Sequence, residues 1–113
     1  MGISTDAKKI RRDAKNALKA INTGNANMAV GFLEDISRLS MRDLQNVLRA
    51  RKVIKTGDPL LDHVELEERT IRDEVWEAIE DLKEGRSAKA KEILLKISSE
   101  SKDIRRSAST VTI

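Results

Sequence analysis

Apolar residues recur along most of the chain at alternating intervals of three and four positions, the spacing that lines one face of an α-helix. The clearest row runs from residue 61 to residue 82 and includes one charged side chain, Glu68. Because this alternation is a heptad repeat, it predicts a helix that packs along its length against other helices. The row consists of Leu61, Val64, Glu68, Ile71, Val75, Ala78 and Leu82.

Capping residues mark both ends of this helix. Asp58 suits the N-cap, and Pro59 suits the first helical position, where its missing N–H costs nothing. Gly85 suits the left-handed residue that closes a helix. The sequence therefore predicts a helix over about residues 59–84, which would be about 39 Å long.

Three shorter helices are predicted before it. Residues 5–22 carry a row of small and aliphatic side chains, and the turn at residues 23–25 contains Gly24. Residues 26–38 and 40–54 predict two further helices, because Ser40 followed three positions later by Asp43 is typical of a helix start. Residues 55–57 are predicted to form the loop into the long helix.

A fifth helix is predicted after Gly85, starting at residue 88. It ends at Ser98-Ser99 or continues to about residue 106, and residues 107–113 are predicted to form a flexible tail. Residues 17–37 also resemble residues 78–98 at an offset of 61, since both read as a helix, a glycine turn and a second helix. Two explanations stay open, an internal duplication or the shared requirements of two helical hairpins.

These elements predict an all-α fold, a five-helix bundle of two helical hairpins packed on one long central helix. A chain of 113 residues is expected to fold as one domain, here residues 1–106, and to bury about two-thirds of its surface. Helices two, three and five would span only about 20 Å each, so one of them cannot cover the long helix. Either two short helices line up along it, or its N-terminal half pairs with another chain.

The second arrangement predicts a homo-oligomer, with a dimer favoured. Its protein interface would lie on the first half of the long helix, where Glu68 would face a basic residue. A charge on such a row is costly unless it is paired, so it would fix the partner and the register. The predicted interface residues are Leu60, Leu61, Val64, Glu68 and Ile71.

Charge is distributed in blocks along the chain. Residues 1–55 hold 12 Lys/Arg and 5 Asp/Glu, residues 56–84 hold 3 and 11, and residues 85–113 hold 7 and 3. The acidic block coincides with the long helix. We therefore expect this helix to lie beside basic helices of its own chain or of a second copy.

The basic residues support an alternative, a small DNA- or RNA-binding regulator. Residues 29–52 can be interpreted as a helix-turn-helix whose second helix would enter the major groove. Basic helix one could also follow a phosphate backbone without reading bases. Against this, residues 38–40 contain no glycine, and Glu34 and Asp43 would oppose phosphates. The predicted nucleic-acid-binding residues are Arg42, Gln45, Asn46, Arg49, Arg51 and Lys52.

The sequence gives little indication of a metal site, of catalysis or of a membrane-spanning segment. His63 lies near Asp62, Glu65 and Glu67, but their spacing does not place them together on one helix face, so a solvated or capping role is predicted and no metal site. No nucleophile–base set is recognisable, so we expect neither enzymatic activity nor a cofactor. No apolar run is long enough to cross a membrane, and the absence of cysteine is compatible with a cytoplasmic location.

The sequence thus favours a non-catalytic binding or assembly protein that acts through helix–helix contacts. It would either self-associate or dock on a larger protein as an adaptor or inhibitor. Sequence patterns alone do not separate these two modes.

Overall fold

Four helices carry the heptad pattern in the structure, a computed structural model that describes residues 2–53 and 59–111. Within these residues every regular element is helical, which confirms the all-α class. The predicted number of five helices is wrong. The helices are α1 (Ile3–Asn22), α2 (Ala26–Val53), α3 (Pro59–Lys83) and α4 (Ser87–Val111).

The structure has no helix boundary at Ser40, where the sequence predicts the start of a third helix. The Ser40 hydroxyl does not cap a new helix; it donates a 2.8 Å hydrogen bond to the main-chain oxygen of Glu68 on α3. Ser40 and Asp43 are both buried, and they continue the row of buried positions through the middle of α2. A tertiary contact therefore satisfies the side chain that the local pattern assigned to a cap.

The second correction concerns length. Helix α4 continues to Val111 instead of ending near residue 106, and Ala108 is buried against the core. With 28 residues in α2 and 25 in both α3 and α4, the third helix is not longer than its neighbours, so it needs no second chain to cover it. The predicted loop at residues 55–57 and the N-cap at Asp58 lie outside the described residues.

Each helix contacts two others, and the pairs in contact are α1–α2, α2–α3, α3–α4 and α1–α4. Among the described residues the diagonal pairs α1–α3 and α2–α4 make no close backbone contact. Cross-helix bonds such as Ser4 to Ser109 join the start of one helix to the end of its neighbour. The result is an up-down-up-down four-helix bundle that measures 47 × 19 × 18 Å.

A row of buried positions at 3-4 spacing runs along every helix and forms one core. All seven members of the row predicted on α3 are buried, Glu68 included. The rows on α2 and α4 correspond position by position at the offset of 61. They are Ala29, Leu33, Ile36, Ser40, Asp43 and Val47 on α2, and Ala90, Leu94, Ile97, Ser101, Ile104 and Ala108 on α4.

The two glycine turns set this common register. Gly24 and Gly85 have φ angles of 77° and 79°, a conformation that disfavours residues with a side chain. In the first turn Asn25 donates its N–H to the oxygen of Ala20, and in the second Arg86 donates to Asp81. These are the bonds of a Schellman closure, so both hairpins begin from the same geometry.

Candidate functional sites

A groove lined by basic side chains lies between α1 and α4. Its volume is about 230 Å³, and no carboxylate lines it. The four cationic residues that α1 contributes are spaced at i, i+3, i+4 and i+7, so they share one face of that helix. The six cationic residues of this basic groove are Lys8, Arg11, Arg12, Lys15, Lys102 and Arg105.

The cations of the basic groove form no salt bridge among the described residues. The Nε atom of Arg11 is also shielded from solvent and has no hydrogen-bond acceptor among the described residues. A buried N–H without an acceptor is unfavourable, so the described residues leave this part of the Arg11 guanidinium uncompensated.

The diagonal arrangement keeps this groove away from the acidic helix. Helix α3 makes no close contact with α1 in the described residues, so its outward carboxylates do not neutralise the basic groove. Instead α3 pairs with α2, where Arg51 contacts both Asp62 and Glu65. The bundle therefore has a basic side and an acidic side, and the basic side concentrates a positive potential.

A second group of charged residues is buried near the middle of the bundle. Asp6 on α1 is fully buried, and Arg42 on α2 donates to its carboxylate at 3.0 Å through Nε and 2.6 Å through Nη2. Burial favours a higher pKa, but the hydrogen bonds from Arg42, together with the neighbouring Asp43 side chain, outweigh it and hold the pKa of Asp6 below its ordinary value. Asp6 is therefore an ionised partner of Arg42.

Asp43 and Glu68 lie beside this pair and share the same buried environment. None of their four carboxyl oxygens accepts a hydrogen bond from a donor among the described residues. Two ionised carboxylates are acceptors only, so they can bond to one another only if one retains its proton. Burial, followed by contacts with Glu68 and Asp6, raises the pKa of Asp43, and burial also raises the pKa of Glu68. Both shifts favour a protonated, neutral carboxyl within this cluster.

A third group follows the contact between α3 and α4. The side-chain ligand atoms of His63, Glu67 and Asp103 all lie within 4.8 Å of one another. Further along, Glu74 and Glu100 face each other, and burial together with the contact to Glu74 raises the pKa of Glu100. The sequence did not indicate that Asp103 lies near His63, because the two residues belong to different helices.

The predicted protein interface is in the core. Leu61, Val64, Glu68 and Ile71 are buried by their own chain, and Leu60 is half-buried. A second copy could reach the four buried residues only if the bundle opened. Glu68 is not paired with a basic residue of another chain; its buried neighbour is Asp43, and burial raises the pKa of Glu68.

The structure also contradicts the predicted helix-turn-helix. Residues 29–52 belong to the single helix α2, so no second helix is available to enter a groove of DNA. Arg42 and Arg51 are engaged with Asp6 and with Asp62 and Glu65. The remaining predicted residues lie on this helix as well. Gln45, Arg49 and Lys52 are exposed, and Asn46 is half-buried.

The basic face of α1 is visible in the sequence, but the cations that α4 contributes to the groove were not predicted. The available signal was the 3-4 row, which continues after Ser98 through Ser101, Ile104 and Ala108. Because two members of that row are a serine and an alanine, its apolar character is weak.

Comparison with known proteins adds no function. No protein-family model matches the chain, and neither a curated protein nor a solved structure is significantly similar to it. In the described ranges, no helix combines the length and the apolar character that spanning a membrane requires.

The buried carboxyl cluster predicts a pH dependence of stability. Because the pKa values of Asp43 and Glu68 are raised in the folded protein, the folded state holds protons that the unfolded chain has released. Stability conferred by these protons is present at low pH and is lost as pH rises above about 4.5. The double variant Asp43→Asn/Glu68→Gln should lose this effect.

Urea denaturation at several pH values between about 5 and 7 measures the free energy of unfolding. The free energy of unfolding should decline less steeply with pH in the double variant than in the wild type. The slopes should differ by about 1.4 kcal/mol per pH unit for each proton removed. Glu77→Gln, which changes an exposed carboxyl of α3, is the control and should follow the wild type. Equal slopes of unfolding free energy against pH in all three proteins would contradict the retention of a proton by the buried carboxyl cluster.

Proposed function

We propose that this chain is a non-catalytic binding protein that holds the phosphate backbone of a nucleic acid in the basic groove between α1 and α4. The observation that carries the proposal is the lining of the groove, six cationic residues and no carboxylate. Phosphate oxygens are the acceptors that arginine and lysine side chains bind most readily in this arrangement.

The dimensions of the groove favour a polymer over a single anion. Lys8 and Lys15 are seven residues apart on α1, which corresponds to a rise of about 10 Å. That distance matches about three steps of a DNA duplex, whose base pairs are spaced by about 3.4 Å. Lys102 and Arg105 on α4 add a second row of cations. Several phosphates can therefore be contacted together.

The type of side chain favours binding that is independent of base sequence. The groove offers lysine and arginine heads, and the continuous α2 provides no recognition helix. Both aromatic residues of the chain, Phe32 and Trp76, lie outside the groove lining, so they cannot stack on bases bound there. These features support contacts to the backbone of a duplex over stacking on single-stranded bases.

Two triple variants with equal net charge test the proposal. Arg11→Gln/Lys15→Gln/Arg105→Gln removes half of the cations of the basic groove. Lys52→Gln/Lys83→Gln/Lys89→Gln removes three exposed cations elsewhere and serves as the matched control. Fluorescence anisotropy of a labelled DNA duplex at a series of salt concentrations measures the affinity of each protein.

The groove variant should bind at least about tenfold more weakly at low salt. The dependence of log affinity on log salt should also become shallower by roughly 3, since each phosphate contact contributes about 0.9. The control should retain most of the affinity and the slope. Equal weakening by both variants, or no binding by the wild type at micromolar concentration, would refute the proposal.

The outer side of α3 supports a second candidate, assembly of the protein by self-association. Leu66 and Trp76 are large apolar side chains that are 63% and 59% exposed. They lie on the acidic helix, which is complementary in charge to the basic side of another copy. Helix–helix assembly would then use the outer surface of α3 instead of its buried row.

Sedimentation velocity tests this second candidate. Self-association predicts larger species as protein concentration rises, and Trp76→Ser should reduce them because it removes the largest exposed apolar contact. Leu95→Ser, which alters a residue of α4 with the same 59% exposure, is the control. A wild-type monomer at every concentration would remove this candidate.

A further inference from the structure

We propose that His63, Glu67 and Asp103 form a binding site for a divalent transition-metal ion, with zinc as the best fit. His63 and Glu67 are one helical turn apart on α3, and Asp103 reaches the same point from α4. Their ligand atoms all lie within 4.8 Å of one another. The site therefore has three ligands from two packed helices.

The donor set decides the class of metal. One imidazole nitrogen and two carboxylate oxygens suit zinc, which takes such ligands at about 2.0–2.2 Å in tetrahedral geometry. Magnesium and calcium prefer oxygen ligands alone. Ligands of one tetrahedral zinc ion would be roughly 3.3 Å apart, so side-chain rotations that shorten the distances by about an ångström or more would complete the site. The fourth position would be left to water.

One observation besides the clustering favours a cation at this point. The Oε2 atom of Glu67 is shielded from solvent and receives no hydrogen bond from any described residue. A bound cation would satisfy this oxygen and offset the concentration of negative charge.

The site is separate from the basic groove. The groove is formed where α4 meets α1, whereas the metal site is formed where α4 meets α3. A metal bound there would link the beginning of α3 to the last part of α4. Because the ion would bind the folded arrangement and not the separated helices, it would stabilise the bundle.

The single histidine of the chain makes the test direct. Addition of zinc to isotopically labelled protein should shift the imidazole NMR signals of His63 in a saturable way, and a chelator should reverse the change. Calorimetric titration should give one site per chain. The wild type should also unfold at a higher temperature when zinc is present.

Variants of the two carboxylate ligands distinguish this site from a lone surface histidine. Glu67→Gln and Asp103→Asn should each weaken zinc binding at least about tenfold, the loss seen even for groups that only support a metal ligand. Asp73→Asn and Glu92→Gln, exposed carboxyls on the same two helices, should leave the affinity unchanged. Circular dichroism confirms that each variant is folded.

The proposal is overturned if the His63 signals do not respond to zinc. It is also overturned if Glu67→Gln and Asp103→Asn bind zinc as tightly as the controls do, because the histidine would then be acting alone. Binding of zinc at a place that leaves His63 unaffected has the same consequence. None of these outcomes depends on the binding of nucleic acid.

Discussion

The shared heptad register of the four helices is the constraint on which the structure depends. Buried positions recur at 3-4 spacing on every helix, and on α2 and α4 they correspond at an offset of 61. The two glycine turns impose this register, since each reverses the chain with the same main-chain hydrogen bonds. A shift of one residue in either hairpin would turn the buried rows of its helices away from the core.

That register allows polar groups to be buried in the middle of the bundle. Ser40, Asp43 and Glu68 occupy positions that apolar residues fill elsewhere in the rows. The Ser40 hydroxyl bonds to a main-chain oxygen, and Asp6 is paired with Arg42. Burial raises the pKa values of Asp43 and Glu68 and so favours a neutral carboxyl there. Such a layer contributes little net stability, but it penalises any alternative register that would separate its members.

The same register determines which surfaces lie next to one another. Helix α1 is diagonal to α3, so the strongest basic and acidic segments of the chain do not cancel. Helix α4 instead brings Lys102 and Arg105 beside the cations of α1, and it brings Asp103 beside His63. One helix therefore completes two different candidate sites on its two flanks.

Much of this fold could be predicted from the sequence, because its signals are local. Gly85, Pro59 and the row from Leu61 to Leu82 define α3 with little help from the rest of the chain. The continuity of α2 could not be predicted in the same way, since Ser40 is a good cap locally and only the contact with Glu68 shows that it is not used as one.

The candidate sites were harder to predict than the helices. The cations of α1 are visible as one face, but only the packing of α4 against α1 turns that face into a groove. Likewise, no spacing in the sequence connects His63 with Asp103. Sites made by two helices that are distant in sequence depend on the bundle arrangement, which the heptad pattern alone does not specify.

Localisation of bound DNA on the protein surface tests the central claim most directly. A short duplex is added at low salt to ¹⁵N-labelled protein, and the backbone amide signals are followed by NMR. We expect the largest shifts in residues 8–15 of α1 and 101–105 of α4. Shifts centred on residues 38–52 of α2, or no shifts at saturating duplex, would contradict it.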